Sequence, residues 1–198
     1  MTAFTAIVAD VYTCTNRPDL VAETEMAVKS ATLQLHRSDF FSKDIFETGI
    51  SFTTSDYVQQ LEYRLAVPRW RSMKYLRKWD NTGTGRAGQE LTAVPIEKIL
   101  DGYGVERTNI FYLAGSVYNI KSSTQEQYYL LGCYVNPEIS GAYYSSWIAD
   151  EYPNAIVYRA ATIVLKQIHQ DDLAAKFEQL AAIETQEILM ANIETVGS

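Results

Sequence analysis

The sequence predicts an α+β fold, in which a helical bundle built from N- and C-terminal helix pairs has a β-rich insertion between them. Apolar side chains recur with helical spacing near both ends of the 198-residue chain, and they alternate with polar ones through much of the middle. The length and a hydrophobic content of 47% indicate a single globular domain over residues 1–198.

The first 41 residues are predicted to form a helical hairpin. Its first helix covers residues 2–13, and Pro18 suits the first turn of a second helix that continues to Arg37. Acidic residues lie near the start of the second helix and basic residues near its end, as the helix dipole favours. His36 and His169 each fall near a predicted helix end, and we interpret both as cations that complete a helix C-terminus.

Residues 42–137 are predicted to be the β-rich insertion, because apolar and polar side chains alternate there with period two. A turn at 53–56 separates its first two strands, and a short helix at 95–101 interrupts the series. The predicted strands are residues 46–52, 57–67, 69–79, 89–94, 109–113, 116–121 and 127–135. Helical spacing then returns in residues 154–198, after a Tyr- and Ser-rich connection at 138–153.

The loop at 80–88 contains Gly83, Gly85 and Gly88 at the spacing of a dinucleotide-binding fingerprint. That fingerprint requires an apolar strand before it and a helix N-terminus after it. Here a charged segment precedes the glycines, and Pro95 follows closely. We therefore interpret the segment as a surface loop or hairpin, and we expect no cofactor.

The chain is acidic, with a net charge of −7, but one segment is strongly basic. Residues 64–79 contain six basic side chains and no acid, interleaved with Trp70, Tyr75 and Trp79. This pattern fits a charge-complementary protein contact, a stacking surface for nucleic acid, or a solvated sheet face. Residues 143–152 are rich in aromatics and fit either a docking loop or a packed connection.

No catalytic or metal-binding motif is recognisable, so we expect neither an enzyme nor a metal protein. Cys14 and Cys133 are far apart in sequence, which favours reduced thiols. No apolar run reaches the length of a membrane span, and residues 1–9 lack the pattern of a signal peptide. These features predict no membrane association and synthesis in the cytoplasm.

Several segments, taken in order, resemble the head-to-tail adaptor (connector, or head-completion) proteins of podovirus-type tailed bacteriophages. The likeness extends over nearly the whole chain and weakens at 81–88 and after about residue 179. The segments are 9–12, 16–24, 43–49, 59–64, 67–80, 129–137 and 145–149, of which 67–80 (Val-Pro-Arg-Trp-Arg-Ser-Met-Lys-Tyr-Leu-Arg-Lys-Trp-Asp) is the most specific.

The resemblance implies a structural protein of the virion neck, which forms a dodecameric ring between the portal protein and the tail nozzle or tail tube. Genomic double-stranded DNA would pass through the ring without specific binding. The C-terminal segment would grip the portal, with candidate residues Glu187, Ile188, Leu189, Met190 and Ile193. Candidate contacts between subunits or with other partners are Arg69, Trp70, Arg71, Lys74, Arg77, Lys78, Tyr143, Tyr144, Trp147 and Tyr152.

Two other functions fit the same sequence. A tail-terminator or tail-tube protein would polymerise with tail tubes and ignore portals. An accessory nucleic-acid-binding protein would bind DNA with a strong salt dependence, through Arg69, Arg71 and Lys74.

Overall fold

The computed structural model describes residues 3–79, 87–139 and 143–196. The helices are α1 (Ala3–Thr15), α2 (Val21–His36), α3 (Tyr63–Ala66), α4 (Trp147–Glu151), α5 (Pro153–Gln167) and α6 (Asp171–Val196). The strands are β1 (Ile45–Glu62), β2 (Trp70–Trp79), β3 (Ala87–Glu90), β4 (Thr92–Ala93), β5 (Ile110–Ala114) and β6 (Val117–Val135). The chain divides into two compact units, a helical unit of residues 1–44 and 136–198 and a sheet unit of residues 45–135.

Helix α5 is the centre of the helical unit, because it packs against α1, α2 and α6. Its buried side chains include Ile156, Ala160 and Val164, which meet Val11 from α1 and Val28 from α2. Small alanines among these positions allow the helices to approach closely. Within the described ranges, no helix is both long enough and apolar enough to cross a membrane.

The C-terminus of α5 is closed by backbone hydrogen bonds in which His169 takes the left-handed conformation, with φ 58°. The amide of Gln170 donates to the carbonyl of Leu165 at 3.0 Å, and the amide of His169 donates to that of Lys166. This is the bonding pattern of a Schellman motif, in which a residue with positive φ satisfies the last carbonyls of a helix. His169 therefore serves the helix end through its backbone.

The sheet unit is organised around β6, which pairs antiparallel with β1 along almost its whole length. The opposite edge of β6 pairs with β5 near its start and with β2 near its end. Strand β3 pairs antiparallel with β2, and β4 pairs parallel with β5. The six strands therefore form one sheet that curls into a nearly closed barrel.

The predicted fold class is wrong in how it treats this central region. A bundle of two helix pairs with a β-rich insertion does not describe the molecule, because the central strands form a large barrel-like sheet with its own core. The fold is mixed α+β, with helices before and after a barrel-like sheet. Closure depends on β6 having different partners at its two ends, and hydrophobic alternation carries no information about partners.

Two long strands were predicted as pairs of shorter ones. The turn expected at 53–56 lies within β1, and the break expected at 122–126 lies within β6. Register shifts between Ser51 and Val58 show that the irregularity is absorbed inside the paired strands. In the predicted loop at 80–88, Gly83 and Gly85 lie outside the described residues, and Gly88 lies in β3.

The barrel core contains one buried side chain or more from each of its long strands. Leu61, Leu76, Ile120 and Leu131 are all at most 5% exposed. Burying a side chain of this size contributes about 1.5–3 kcal/mol relative to leaving it in water. The barrel therefore has a hydrophobic core of its own, separate from that of the helical unit.

Candidate interaction surface

The helical unit contains a buried polar cluster around His36, the last residue of α2. His36 Nδ1 lies 2.8 Å from Asp44 Oδ1, and His36 Nε2 lies 2.9 Å from the hydroxyl of Ser146. The indole Nε1–H of Trp147 donates to the same Asp44 oxygen at 2.8 Å. His36, Asp44 and Ser146 are each at most 4% exposed.

The order of bonds in this cluster is that of a Ser–His–Asp triad, a set that the sequence offers no reason to group. The hydroxyl oxygen of Ser146 already accepts the backbone N–H of Ala149 at 3.2 Å, which caps the start of α4. A substrate must be able to reach a nucleophile, whereas this oxygen is buried and already hydrogen-bonds with His36 and Ala149. The geometry therefore favours a role in holding segments together. The prediction for His36 was a cation that completes a helix C-terminus, whereas the buried ring hydrogen-bonds with the side chains of Asp44 and Ser146.

The β2 stripe comprises Arg69, Trp70, Arg71, Lys74, Arg77 and Lys78. Arg77 forms an ion pair with Glu90 at 2.9 Å, and its guanidinium lies 5.2 Å from the ring centre of Tyr75. Lys78 donates to Thr124 at 2.7 Å and lies 3.7 Å from Glu126. These two cations are thus bound within their own sheet unit.

The remainder of the β2 stripe is more accessible. Arg69 and Lys74 are exposed, while Arg71 is half-buried. The ring of Trp70 packs 5.0 Å from Tyr63 and 5.7 Å from Tyr118, so this tryptophan belongs to an aromatic cluster of the barrel. The stripe is therefore mixed, with some members integrated into the sheet and others available to solvent.

The four predicted aromatic contacts between residues 143 and 152 also divide into two kinds. Tyr143 is 73% exposed. The hydroxyl of Tyr144 lies 2.7 Å from that of Thr32, and its burial raises its pKa. Trp147 packs 5.3 Å from Phe41, and Tyr152 meets Trp147 edge-on. Three of the four thus pack inside the helical unit, as a packed connection would.

Exposed apolar side chains also lie on the α6 outer face, defined here as Leu180, Ile183, Glu187, Met190 and Ile193. Its four apolar side chains are between 41% and 67% exposed. They recur at intervals of three, seven and three residues, which places them along one side of the helix. Of the predicted portal-gripping residues, Glu187, Met190 and Ile193 lie on this face, Leu189 is half-buried and Ile188 is buried in the core.

The helix that bears the α6 outer face is acidic. Helix α6 contains six acids, with Lys176 as its one base. Burial raises the pKa of Glu184, and the nearby carboxylate of Glu187 raises it further. The face therefore combines an apolar stripe with negative charge. The spacing of apolar residues in the sequence did not predict that the α6 outer face is exposed, because both the inner and the outer face of α6 carry apolar side chains.

A second candidate surface is a groove on the barrel between β2 and β5. Its lining includes Met73, Lys74, Phe111, Leu113 and Tyr118. Leu113 is 48% exposed although it is a large apolar residue. The groove is open and aromatic, as protein-contact sites often are.

Among the described residues, no three His, Cys, Asp or Glu side chains are grouped so that they could hold a metal ion. No protein-family model matches the chain, and no curated protein is significantly similar to it.

Proposed function

We propose that this chain is the subunit of a ring in the neck of a tailed bacteriophage, where it joins the portal vertex to the tail. The α6 outer face is the observation that carries the proposal, together with the sequence resemblance to podovirus-type adaptors. A subunit of this kind acts by binding other proteins. It needs apolar side chains that are exposed in the free chain, and Ile183, Met190 and Ile193 are each more than half exposed.

In the proposed role, the α6 outer face binds the portal, in a groove that is apolar in its centre and basic at its rim. Apolar contact supplies most of the affinity, and charge complementarity supplies orientation and specificity. Copies of the chain contact one another through unlike surfaces, and such contacts generate a ring when the rotation between neighbours closes. The overall negative charge allows DNA to pass, because phosphates are not held by an acidic wall.

The proposal is tested by binding of the purified chain to portal rings from the same phage, measured by co-sedimentation. We expect the wild-type chain to bind. The variant carrying Ile183→Ser, Met190→Ser and Ile193→Ser should bind at least tenfold more weakly, because tenfold corresponds to only about 1.4 kcal/mol of lost apolar contact. Its circular dichroism should remain that of the wild type, since these side chains are exposed.

The matched control is Val21→Ser with Met26→Ser, which removes two apolar side chains of comparable exposure from α2. This control should bind portal rings as the wild type does. Failure of the wild-type chain to bind portals, or equal loss in both variants, contradicts the proposal. Binding to tail tubes with indifference to portals would favour the tail-terminator function in its place.

A further inference from the structure

Residues 39–44, here called the strap, connect α2 to β1 and are held on two sides within the helical unit. Its central residue Phe41 is 1% exposed and packs against Trp147. Asp44, the last residue before β1, lies in the buried cluster with His36 and Trp147. The strap is thus fastened to α2 and α4 at its C-terminal end.

The other side of the strap is fastened to the C-terminal half of α6. The backbone amide of Ser42 donates to Asn192 Oδ1 at 3.2 Å, and Asn192 Nδ2 donates to Asp39 at 3.3 Å. A small cavity between the strap, α4 and α6 is lined by Phe41, Trp147 and Ile188, among others. One six-residue segment therefore touches three helices that are far apart in sequence.

The hydrogen bonds of the cluster join four side chains in one network. A carboxylate oxygen only accepts, so His36 Nδ1 and Trp147 Nε1 are both donors to Asp44. The hydroxyl oxygen of Ser146 accepts the backbone N–H of Ala149 and also hydrogen-bonds with His36 Nε2. Displacing one member removes hydrogen bonds from its neighbours, and a buried group left without its partner is strongly disfavoured.

We infer that the strap is a coupling element, which makes the C-terminal half of α6 and the buried cluster at Asp44 open and close as one unit. Loosening the cluster at His36 then loosens α6 around Asn192, and loosening α6 weakens the cluster. The inference concerns the isolated chain and is independent of the proposed function. The strap thus links α6, which bears the outer face, to Asp44, the last residue before β1.

The test is hydrogen exchange of the full chain, read at single amides by NMR. His36→Asn keeps a donor to Asp44 but loses the bond to Ser146, and Asn192→Ala removes the strap contacts from α6. We expect His36→Asn to speed exchange of the α6 amides at 188–192 at least fivefold. Asn192→Ala should do the same for the amides of Asp44 and Ala149. Amides of α5 should stay within twofold of the wild type in both variants.

The control variant is Gln186→Ala on the same helix, whose side chain is exposed and should change neither region. Effects confined to the mutated side, or a uniform increase that includes α5, would overturn the inference. If His36→Asn does not fold, the exchange rates of Asn192→Ala test the inference. This variant should fold, because Asn192 is only part-buried and lies near the end of α6.

Discussion

Two glycines on the barrel provide space for aromatic rings. Gly132 in β6 lies directly beneath the ring of Tyr75, and Gly49 in β1 lies beneath that of Trp79. A Cβ atom added at either glycine would overlap the ring. The hydroxyl of Tyr75 also hydrogen-bonds to Glu47, which fixes the ring over its glycine. At both positions glycine is needed for the close approach of a ring and not for an unusual backbone conformation.

Gly132→Ala should lower the free energy of unfolding by about 1–3 kcal/mol, because the added methyl group forces the ring of Tyr75 out of its position. Urea denaturation measures the change. Gly102→Ala is the control, since nothing lies within 4 Å of a Cβ built there. Combining Gly132→Ala with Tyr75→Ala should cost less than the sum of the two single changes, and strict additivity would show that the ring contact is unimportant.

The buried cluster at His36 could not have been predicted from the sequence. His36 is separated from Asp44 by 8 residues and from Ser146 by 110. The pattern correctly places His36 at the end of α2, but helical periodicity does not report which distant segment packs on that end.

At the scale of the element, β6 is the strand on which the barrel depends, and its interior side chains are shielded from water. Cys133 is fully buried, and this burial raises the pKa of its thiol to about 11 from an ordinary value of 9.0. Burial likewise raises the pKa of Tyr129 to about 12. In both groups the neutral form is the one that the folded state favours.

The raised pKa of Cys133 predicts a loss of stability in alkali. The folded thiol keeps its proton longer than the unfolded one, so the stabilisation is complete below pH about 9 and declines as the pH rises towards 11. A pKa raised from 9.0 to about 11 corresponds to on the order of 3 kcal/mol. The difference in unfolding free energy between the wild type and Cys133→Ala, measured under reducing conditions, should therefore shrink between pH 8 and 10.5. A constant difference would contradict the assignment.

At the scale of the whole molecule, the charge distribution favours the proposed function over nucleic-acid binding. The net charge is −7, and Arg77 and Lys78 of the β2 stripe are already paired with Glu90 and Glu126. A cation that is paired with a carboxylate is less able to replace counterions along a DNA backbone. The basic segment that suggests nucleic-acid binding is partly neutralised by the fold.

We therefore expect the chain to show no measurable binding to a short DNA duplex at micromolar protein and physiological salt, as judged by fluorescence anisotropy. The comparison variant carries Arg69→Gln, Arg71→Gln and Lys74→Gln, and it should behave identically. Affinity that falls linearly with the logarithm of salt concentration, and that this variant abolishes, would establish the nucleic-acid alternative.

Short-range patterns along the sequence predict the local elements well. Those patterns placed α2 at residues 18–37, close to Val21–His36, and β2 at 69–79, close to Trp70–Trp79. These predictions succeed because periodicity, proline positions and helix-dipole charges act within a few residues of one another.

Strand pairing and many side-chain contacts depend on residues that are distant in sequence, so they are visible only in the folded structure. Ile45 pairs with Tyr134, 89 positions away, and β6 changes partner along its length. Barrel closure, the continuity of β1 and β6, the cluster at His36 and the exposure of the α6 outer face all depend on such distant contacts. Each is settled by competition among packing arrangements over the whole chain, which a local pattern of apolar residues does not encode.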